Sequence, residues 1–236
     1  MRILALDSSG LVASVAVAEE DNLIGEYTVH HKKTHSQTLL PMLDEVFRMV
    51  ELDTKTIDAV AVAAGPGSFT GLRIGSATAK GLSYAWNVPI VEVPTVEALA
   101  CNLYATDGII CPIMDARRNQ VYTGIYRWEA GSLKIIADQM AAAIDELLER
   151  LQKTEGGIIF LGDGVPVFGS HIQECLGERA CFAPAHLMRQ RAGAVAVRGI
   201  EYYKQGRVVT AAEHKPEYLR LSQAERERLE KEQNHG

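Results

Sequence analysis

Acidic and hydroxyl side chains follow the first apolar run in each half of the sequence. Asp7, Ser8 and Ser9 come directly after residues 3–6, and Asp115 lies 108 positions after Asp7. The backbone N–H groups and hydroxyls of such a turn can donate to a phosphate, and two carboxylates facing across a cleft can hold a hydrated Mg²⁺ beside a nucleotide. The same residues also close an ordinary tight β-turn, so a phosphate site and a structural turn remain alternatives.

Glycine-rich turns follow two later apolar runs. The stretch GPGSFTGLRIG places Gly65, Gly67 and Ser68 just before a predicted helix, whose first N–H groups can bind an anion. The stretch LGDGVPVF places Gly162 and Gly164 in the same way, where they could line an adenine or ribose site. It matches no phosphate-binding P-loop, and one Gly-x-Gly is a weak signal. Both stretches are also consistent with strand-to-helix turns that need glycine for their backbone angles.

Other candidates for catalysis are sparse. His31 and His35 have the i, i+4 spacing of a metal-binding pair, but they lie where a strand passes into a helix, and a zinc site needs at least a third ligand. The sequence has no HExxH motif and no Gly-x-Ser-x-Gly nucleophile elbow. The four cysteines form no Cys-x-x-Cys pair and are expected to be free thiols in a reducing compartment. These patterns indicate a cleft and packing surfaces, with no metal site and no catalytic residues.

Apolar periodicity places these residues on a repeated set of elements. In each half, three predicted strands are followed by a helix, a strand and a second helix. In the first half the strands cover residues 3–6, 11–18, 23–29 and 57–64, and the helices cover 36–50 and 70–86. In the second half the strands cover 108–114, 120–128, 132–137 and 157–161, and the helices cover 141–152 and a segment through Phe168, Ile172 and Leu176. A β-β-β-α-β-α plan used twice predicts a duplicated α/β fold, whose ligands would lie in the crevice beyond the strand ends.

The overall composition limits the function. The 236 residues carry a net charge of −6, with 47% hydrophobic and 23% charged residues, which excludes a disordered or disulfide-stapled chain. Residues 1–106 have a net charge of −5 and residues 107–236 a net charge of −1. This balance argues against a protein that grips nucleic acid through an extended basic surface, although Arg117 and Arg118 could contact a phosphate or RNA locally. Because neither a membrane span nor a signal peptide is evident, we expect a cytoplasmic protein.

The predicted helix 70–86 carries small residues over much of its surface. Small side chains at five positions leave a nearly flat face on which another helix can pack closely; these are Gly75, Ser76, Ala77, Ala79 and Gly81. Packing inside the chain's own core is the alternative explanation, and contact with another protein is the favoured one.

Five segments together resemble one bacterial family. They are ILALDSS from Ile3, THSQTLLPMLDEVF from Thr34, AVAVAAGPGSFTGLRIGSATAKGL from Ala59, MDARRNQVY from Met114 and KPEYLR from Lys215. On these segments the chain is identified as a member of the TsaB (YeaZ) family, whose proteins are required to form threonylcarbamoyladenosine in tRNA. The resemblance implies the actin-like ATPase (ASKHA) fold of sugar kinases and Hsp70. We expect subdomains at residues 1–106 and 107–212 and a C-terminal arm at 213–236.

The resemblance also implies a function. It implies a non-catalytic scaffold or activator that partners the metal-bearing paralogue TsaD, which transfers threonylcarbamoyl to adenosine in tRNA. The P-loop ATPase TsaE completes the assembly, and tRNA is reached through the complex. In the catalytic paralogue a His-x-x-x-His pair follows the strand after the glycine-rich helix, whereas this chain has Thr95 and Leu99 there. Thr and Leu cannot replace two imidazole ligands. The alternatives are an ATP-dependent small-molecule kinase or ATPase and, less favoured, a metallopeptidase.

The resemblance assigns the partner interface to helices 36–50 and 70–86. These helices would form a bundle with the paralogue, or with a second copy of this chain when the paralogue is absent. No cofactor is expected to bind tightly, although ATP or ADP with Mg²⁺ could bind at the interface of the complex. The residues expected at the partner interface are Ser36, Leu39, Leu40, Leu43, Phe47, Thr70, Arg73, Ser76, Ala79 and Lys80.

Overall fold

Two five-stranded mixed sheets form the framework of the protein, in a computed structural model that describes residues 1–31 and 34–220. The strands of the first sheet are β1 (Arg2–Asp7), β2 (Ala13–Glu19), β3 (Asn22–Val29), β4 (Ala59–Gly65) and β5 (Ile90–Pro94). Their order is β3-β2-β1-β4-β5, with antiparallel pairing from β1 to β3 and parallel pairing from β1 through β4 to β5.

The second sheet repeats this arrangement. Its strands are β6 (Ile109–Asp115), β7 (Gln120–Glu129), β8 (Ser132–Ala143), β9 (Ile158–Leu161) and β10 (Ala180–Phe182). Their order is β10-β9-β6-β7-β8, with β6 antiparallel to β7, β7 antiparallel to β8, and β9 parallel to both β6 and β10. Each strand of the first sheet has a counterpart in the second, which confirms the predicted duplication and the α/β fold class.

Helices cover both faces of the first sheet. The helices are α1 (His35–Met49), α2 (Phe69–Trp86), α3 (Thr95–Ala100), α4 (Ile144–Gln152), α5 (Val165–Leu176) and α6 (Ala192–Lys204). Leu4 and Leu6 of β1 point into the core shared with α1 and α2, whereas Ile3 and Ala5 point into the core shared with α6. This alternation follows from the two-residue period of a strand and explains why all of β1 after Arg2 is buried.

Helix α6 joins the two halves of the chain in space. It lies within the predicted unit 107–212, yet it packs against β1, β2, β4 and β5 of the first sheet. The approach is close, since a Cβ on Gly199 would lie 2.8 Å from the Cβ of Ala61. The boundaries 1–106 and 107–212 remain predictions, and of the predicted arm 213–236, residues 221–236 lie outside the described residues.

Some elements differ from the sequence prediction. Helix α4 begins at Ile144 instead of residue 141, because β8 continues to Ala143 and pairs with Gln120 of β7. The local sequence AAAID favours a helix, and the long-range strand pairing overrides that preference. Elements β5, α3, β10 and α6 were not predicted. Within residues 1–31 and 34–220, no helix combines the length and the apolar character needed to cross a membrane.

A close backbone contact joins the turn after β1 to the first turn of α2. A Cβ on Gly67 would lie 2.3 Å from the carbonyl oxygen of Ser9, and a Cβ on Gly71 would lie 2.0 Å from that of Ser8. The Ser68 N–H donates to the same Ser9 carbonyl at 2.7 Å. The glycines at these two positions are therefore required because any side chain would separate α2 from the first hairpin.

Replacing Gly71 with Ala tests this contact. The new Cβ would overlap the Ser8 carbonyl, and we expect the free energy of unfolding in urea to fall by about 3 kcal/mol. Gly81→Ala is the matched control, because Gly81 lies in the same helix with no atom within 4 Å of its Cβ position. There we expect no loss, or a gain of about 0.5–1 kcal/mol from the higher helix propensity of Ala. Equal effects of the two substitutions would contradict the contact.

Candidate functional site

A cleft of about 500 Å³ lies between the two halves of the chain. It opens beyond the ends of the central strands, where ligands bind in doubly wound α/β folds. One wall comes from the turn after β1 and the beginnings of α1 and α2, and the other from the ends of β6 and β9. The residues that line it are Ser9, Gly10, Leu11, His31, Thr34, His35, Gly67, Ser68, Thr70, Gly71, Ile74, Met114, Asp115, Ala116, Arg117, Tyr122 and Asp163.

Four of the predicted phosphate-site residues are brought together in this cleft. Ser9, Gly67 and Ser68 line it from the first half, and Asp115 lines it from the second. Ser68 is the N-cap residue of α2, and its Oγ accepts the N–H of Gly71 at 3.3 Å. The cleft thus combines a helix N-terminus with a carboxylate from the opposite half.

Asp7 is buried behind the cleft. It is 1% exposed, and its Oδ1 accepts hydrogen bonds from the N–H of Ser9 at 2.9 Å and from the Ser9 hydroxyl at 2.6 Å. Burial raises the pKa of Asp7 to about 6, against the opposing effect of the two Ser9 hydrogen bonds. Ser8 is also buried and donates its hydroxyl to the Gly71 carbonyl at 2.9 Å. The prediction that Asp7 faces Asp115 across the cleft is wrong, because Asp7 closes its own turn.

The second carboxylate of the cleft belongs to Asp163, which was not predicted as a site residue. Its Oδ1 accepts the N–H of Asp115 at 3.1 Å. Burial raises the pKa of Asp163, while the Asp115 hydrogen bond and the charge of Arg189 act in the opposite direction. Asp115 itself pairs with the Arg117 guanidinium at 3.0 Å. A signal for Asp163 exists in the sequence, since it follows β9 as Asp115 ends β6, and parallel neighbouring strands end at one sheet edge.

The other predicted glycines serve packing within the chain. Gly162 has a φ of +108°, and a Cβ there would lie 2.2 Å from the carbonyl oxygen of Ile113. The N–H of Gly164 donates to the same carbonyl at 3.0 Å. These two glycines pack the turn between β9 and α5 against β6 and do not line the cleft described above, and their place in an adenine or ribose site stays a prediction. Gly65 is buried with a φ of +129°, and a Cβ there would lie 2.2 Å from the carbonyl oxygen of Glu217.

The turn between β6 and β7 presents two arginines near the cleft. Arg117, Arg118 and Asn119 have φ angles of 64°, 55° and 56°, in the left-handed region that non-glycine residues adopt at an energetic cost. The Arg117 side chain lines the cleft and is 84% exposed, and Arg118 is also exposed. A local contact of these arginines with phosphate or RNA stays a prediction.

Three of the positions considered for metal binding make structural contacts, and His31 lines the cleft. His35 Nε2 lies 2.8 Å from the Gly10 carbonyl oxygen, to which it donates. The Thr95 hydroxyl accepts the N–H of Gly65 at 3.2 Å, and Leu99 is 1% exposed in the core. In the part of the chain that the structure describes, no cluster of three or more His, Cys, Asp or Glu side chains is arranged to hold a metal ion.

The predicted partner-interface residues divide between the core and the surface. Leu39, Leu43 and Ala79 are at most 3% exposed and pack between the first sheet and its two helices, and Ser76 is 6% exposed. The prediction that these four contact a partner is wrong, because they lie on the inward faces of α1 and α2. The predicted residues with an exposed or partly exposed position are Ser36, Leu40, Phe47, Thr70, Arg73 and Lys80.

The burial of Asp7 predicts a pH dependence of stability. Its pKa in the folded chain, about 6, lies above the ordinary value of 3.8, so ionisation destabilises the folded state as the pH rises through that interval. We expect the stability of the wild-type chain to fall relative to Asp7→Asn by about 1–2 kcal/mol between about pH 5 and pH 7.5. The asparagine amide oxygen still accepts from Ser9, which makes it a matched control. Urea unfolding of both chains across this range measures the difference, and parallel curves would contradict the prediction.

Comparison with known proteins places the chain in a family. Residues 23–228 match the family model described as "TsaD: tRNA N6-adenosine threonylcarbamoyltransferase". The chain is 34% identical over 230 residues to the tRNA threonylcarbamoyladenosine biosynthesis protein TsaB of Bacillus subtilis, covering 98% of this chain and 99% of that protein. It is 27% identical over 226 residues to the TsaB protein of Escherichia coli, covering 93% and 95%.

Solved structures agree with the sequence comparison. A Pseudomonas aeruginosa protein described as similar to peptidase YeaZ matches with a TM-score of 0.76 at 26% identity, covering 93% of this chain and 99% of that chain. Component A of the (R)-2-hydroxyglutaryl-CoA dehydratase of Acidaminococcus fermentans matches with a TM-score of 0.50 at 10% identity, covering 90% and 100%. The second match shows the fold alone, which is the predicted actin-like ATPase fold. With relatives matched over nearly its whole length, this chain belongs to the TsaB (YeaZ) family.

Proposed function

We propose that this chain is a non-catalytic, cytoplasmic subunit that supports the transfer of threonylcarbamoyl to adenosine in tRNA. Its partner is the metal-bearing paralogue TsaD, TsaE is the third component, and tRNA is reached through the complex. Membership of the TsaB family supports the involvement in threonylcarbamoyladenosine biosynthesis. The observation that carries the partner role is an exposed apolar ridge on α1 and α2.

We define the partner ridge as the exposed apolar and small residues Leu40 of α1 and Ala77, Gly81, Tyr84 and Ala85 of α2. Helices α1 and α2 are in contact, with the rings of Phe47 and Trp86 5.8 Å apart. Leu40 is 57% exposed and Tyr84 is 86% exposed, while Ala77, Gly81 and Ala85 are exposed small residues on α2. Small residues beside large apolar ones allow another helix to approach closely, and exposed apolar patches are typical of protein interfaces. The same ridge would serve a second copy of this chain when the paralogue is absent.

The positions of Thr95 and Leu99 support the absence of independent catalysis. By the family resemblance, Thr95 and Leu99 occupy the positions of the two metal-binding histidines of the paralogue. The Thr95 hydroxyl accepts the Gly65 N–H, and Leu99 packs with Val96, Ile110 and other buried side chains. The Thr95 contact lies within the first half, whereas Leu99 packs against side chains of the second half, so both positions serve the packing of this chain.

The cleft is where we propose that ATP or ADP with Mg²⁺ would bind within the complex. The beginning of α2 offers its helix N-terminus to phosphates, and the Asp115 and Asp163 carboxylates suit a hydrated Mg²⁺. The exposed Arg117 and Arg118 beside the cleft would then face the RNA or the nucleotide.

Substitutions on α2 test the partner ridge. We expect Ala77→Arg to raise the dissociation constant of the complex with purified TsaD by at least about tenfold, because a long charged side chain would occupy a flat apolar face. The free energy of unfolding should change by less than about 0.5 kcal/mol, since Ala77 is exposed. Calorimetry or surface binding, with and without Mg²⁺-ATP, provides the measurement.

Two controls make this result specific. Val197→Arg places the same side chain at a 49% exposed position of α6 and should leave the association unchanged. Ala79→Arg, at a fully buried position of α2, should unfold the chain instead of weakening association selectively. An Ala77→Arg chain that binds TsaD as tightly as the wild type would exclude this face as the interface.

A further inference from the structure

The last described segment, residues 214–220, is anchored to the edge of the first sheet. His214 is fully buried, and its Nδ1 lies 2.7 Å from Oε1 of Glu92 on β5. The N–H of Lys215 donates to the same carboxylate oxygen at 3.2 Å. The His214 hydrogen bond lowers the pKa of Glu92, with a smaller contribution from the Lys215 N–H. We call residues 214–220 the C-terminal strap.

The strap next packs against the end of β4, at Ala64 and Gly65. The Glu217 N–H donates to the Ala64 carbonyl at 2.7 Å. The Glu217 carbonyl oxygen lies 2.2 Å from the position that a Cβ on Gly65 would occupy. The first glycine of the GPG turn is thus required by a chain segment about 150 positions later in the sequence.

The strap then contacts the beginning of α2. The ring of Tyr218 lies 4.9 Å from the ring of Phe69, and Arg73 Nε donates to the Tyr218 hydroxyl at 3.3 Å. The Arg73 guanidinium also lies 3.9 Å from the centroid of the Phe69 ring, within cation–π range. Two contacts therefore hold the exposed Arg73 side chain in one orientation.

The strap also contacts the second half of the chain. The Gln139 amide of β8 donates to the Glu217 carboxylate, and the Arg220 guanidinium donates to the Ala116 carbonyl beside the cleft. Seven consecutive residues consequently contact β4, β5 and α2 in the first half, and β8 and the turn after β6 in the second half.

We infer that the C-terminal strap is an interdomain clamp, which fixes the two halves in one arrangement across the cleft and positions Arg73 near the beginning of α2. Each hydrogen bond contributes little by itself, because folding exchanges it for a hydrogen bond to water. Because the contacts reach both halves, losing them frees the relative motion of the halves without removing either core. This inference concerns the chain alone and does not depend on the proposed partner.

Two truncated chains test the clamp. One ends at residue 213 and lacks the strap, and its matched control ends at residue 220 and keeps it. Spin labels on Asp44→Cys in α1 and Glu149→Cys in α4, both exposed positions, report the distance between the halves in a background with Cys175→Ser and Cys181→Ser. We expect the distance distribution to be at least about twofold broader in the chain that ends at 213 than in the control. Equal widths would overturn the inference.

A pair of full-length variants tests the contact with Arg73. Tyr218→Ala removes the ring and the hydroxyl, whereas Tyr218→Phe removes only the hydroxyl. We expect amide exchange in residues 69–73 to be about tenfold faster in Tyr218→Ala, less than about twofold faster in Tyr218→Phe, and unchanged in the core strand β9 for both. Unchanged exchange in residues 69–73 of Tyr218→Ala would contradict the positioning role.

If the chain that ends at residue 213 does not fold, full-length variants test the clamp instead. The double substitution Gln139→Ala with Tyr218→Ala weakens the strap in both halves while leaving the buried His214 in place. A broadened distance distribution with cooperative unfolding retained would support the clamp. An unbroadened distribution, or a loss of the whole fold, would overturn it, because the strap would then be either irrelevant to the halves or part of a core.

Discussion

The first half of this protein depends on the close approach of two backbone segments, the turn after β1 and the first turn of α2. The carbonyl oxygens of Ser8 and Ser9 occupy the space in which side chains at positions 71 and 67 would stand. This contact fixes the position of the first turn of α2. The position of that turn determines where one wall of the cleft and the outward face of the helix lie. The buried Asp7 completes the contact by accepting two hydrogen bonds from Ser9, at the cost of placing a carboxyl group in the interior.

The glycines of the GPGSFTG motif are therefore explained first by close packing against other segments of this chain, and ligand binding is not needed to account for them. Gly67 and Gly71 pack against backbone carbonyls of the first hairpin, and Gly65 packs against the Glu217 carbonyl of the C-terminal strap. Ser68 and Thr70 remain at the cleft, opposite Asp115 of the second half. The surface of the proposed complex and the cleft consequently share one helix, with the cleft at its first turn and the partner ridge along its length. Contacts that fix the first turn of α2 would therefore influence both the cleft and the partner ridge.

Much of the fold could be predicted from local pattern, whereas the long-range contacts could not. Apolar runs, two of them ending at an Asp, predicted the duplicated sheets, because strands that are buried on both faces have a nearly continuous apolar sequence. The inward orientation of Leu39 and Ala79 was not predictable, since core packing and partner contact both favour apolar or small residues on a helix. Gly65 could be recognised as a special position, but its neighbour Glu217 lies too far along the chain for any local signal. Similarly, no pattern in the sequence of α6 predicts that this helix packs against the first sheet.

The most direct test of the proposed role is a reconstituted modification reaction that measures threonylcarbamoyladenosine in tRNA by mass spectrometry. Purified TsaD and TsaE would be supplied with tRNA, threonylcarbamoyl-adenylate and Mg²⁺-ATP, with and without this chain, and the chain would also be assayed alone. We expect the chain alone to form no product and its omission to lower the yield at least about tenfold, as expected for a subunit that contributes transition-state organisation through its partner. Product formed by the chain alone, or an unchanged yield without it, would contradict a non-catalytic and required subunit.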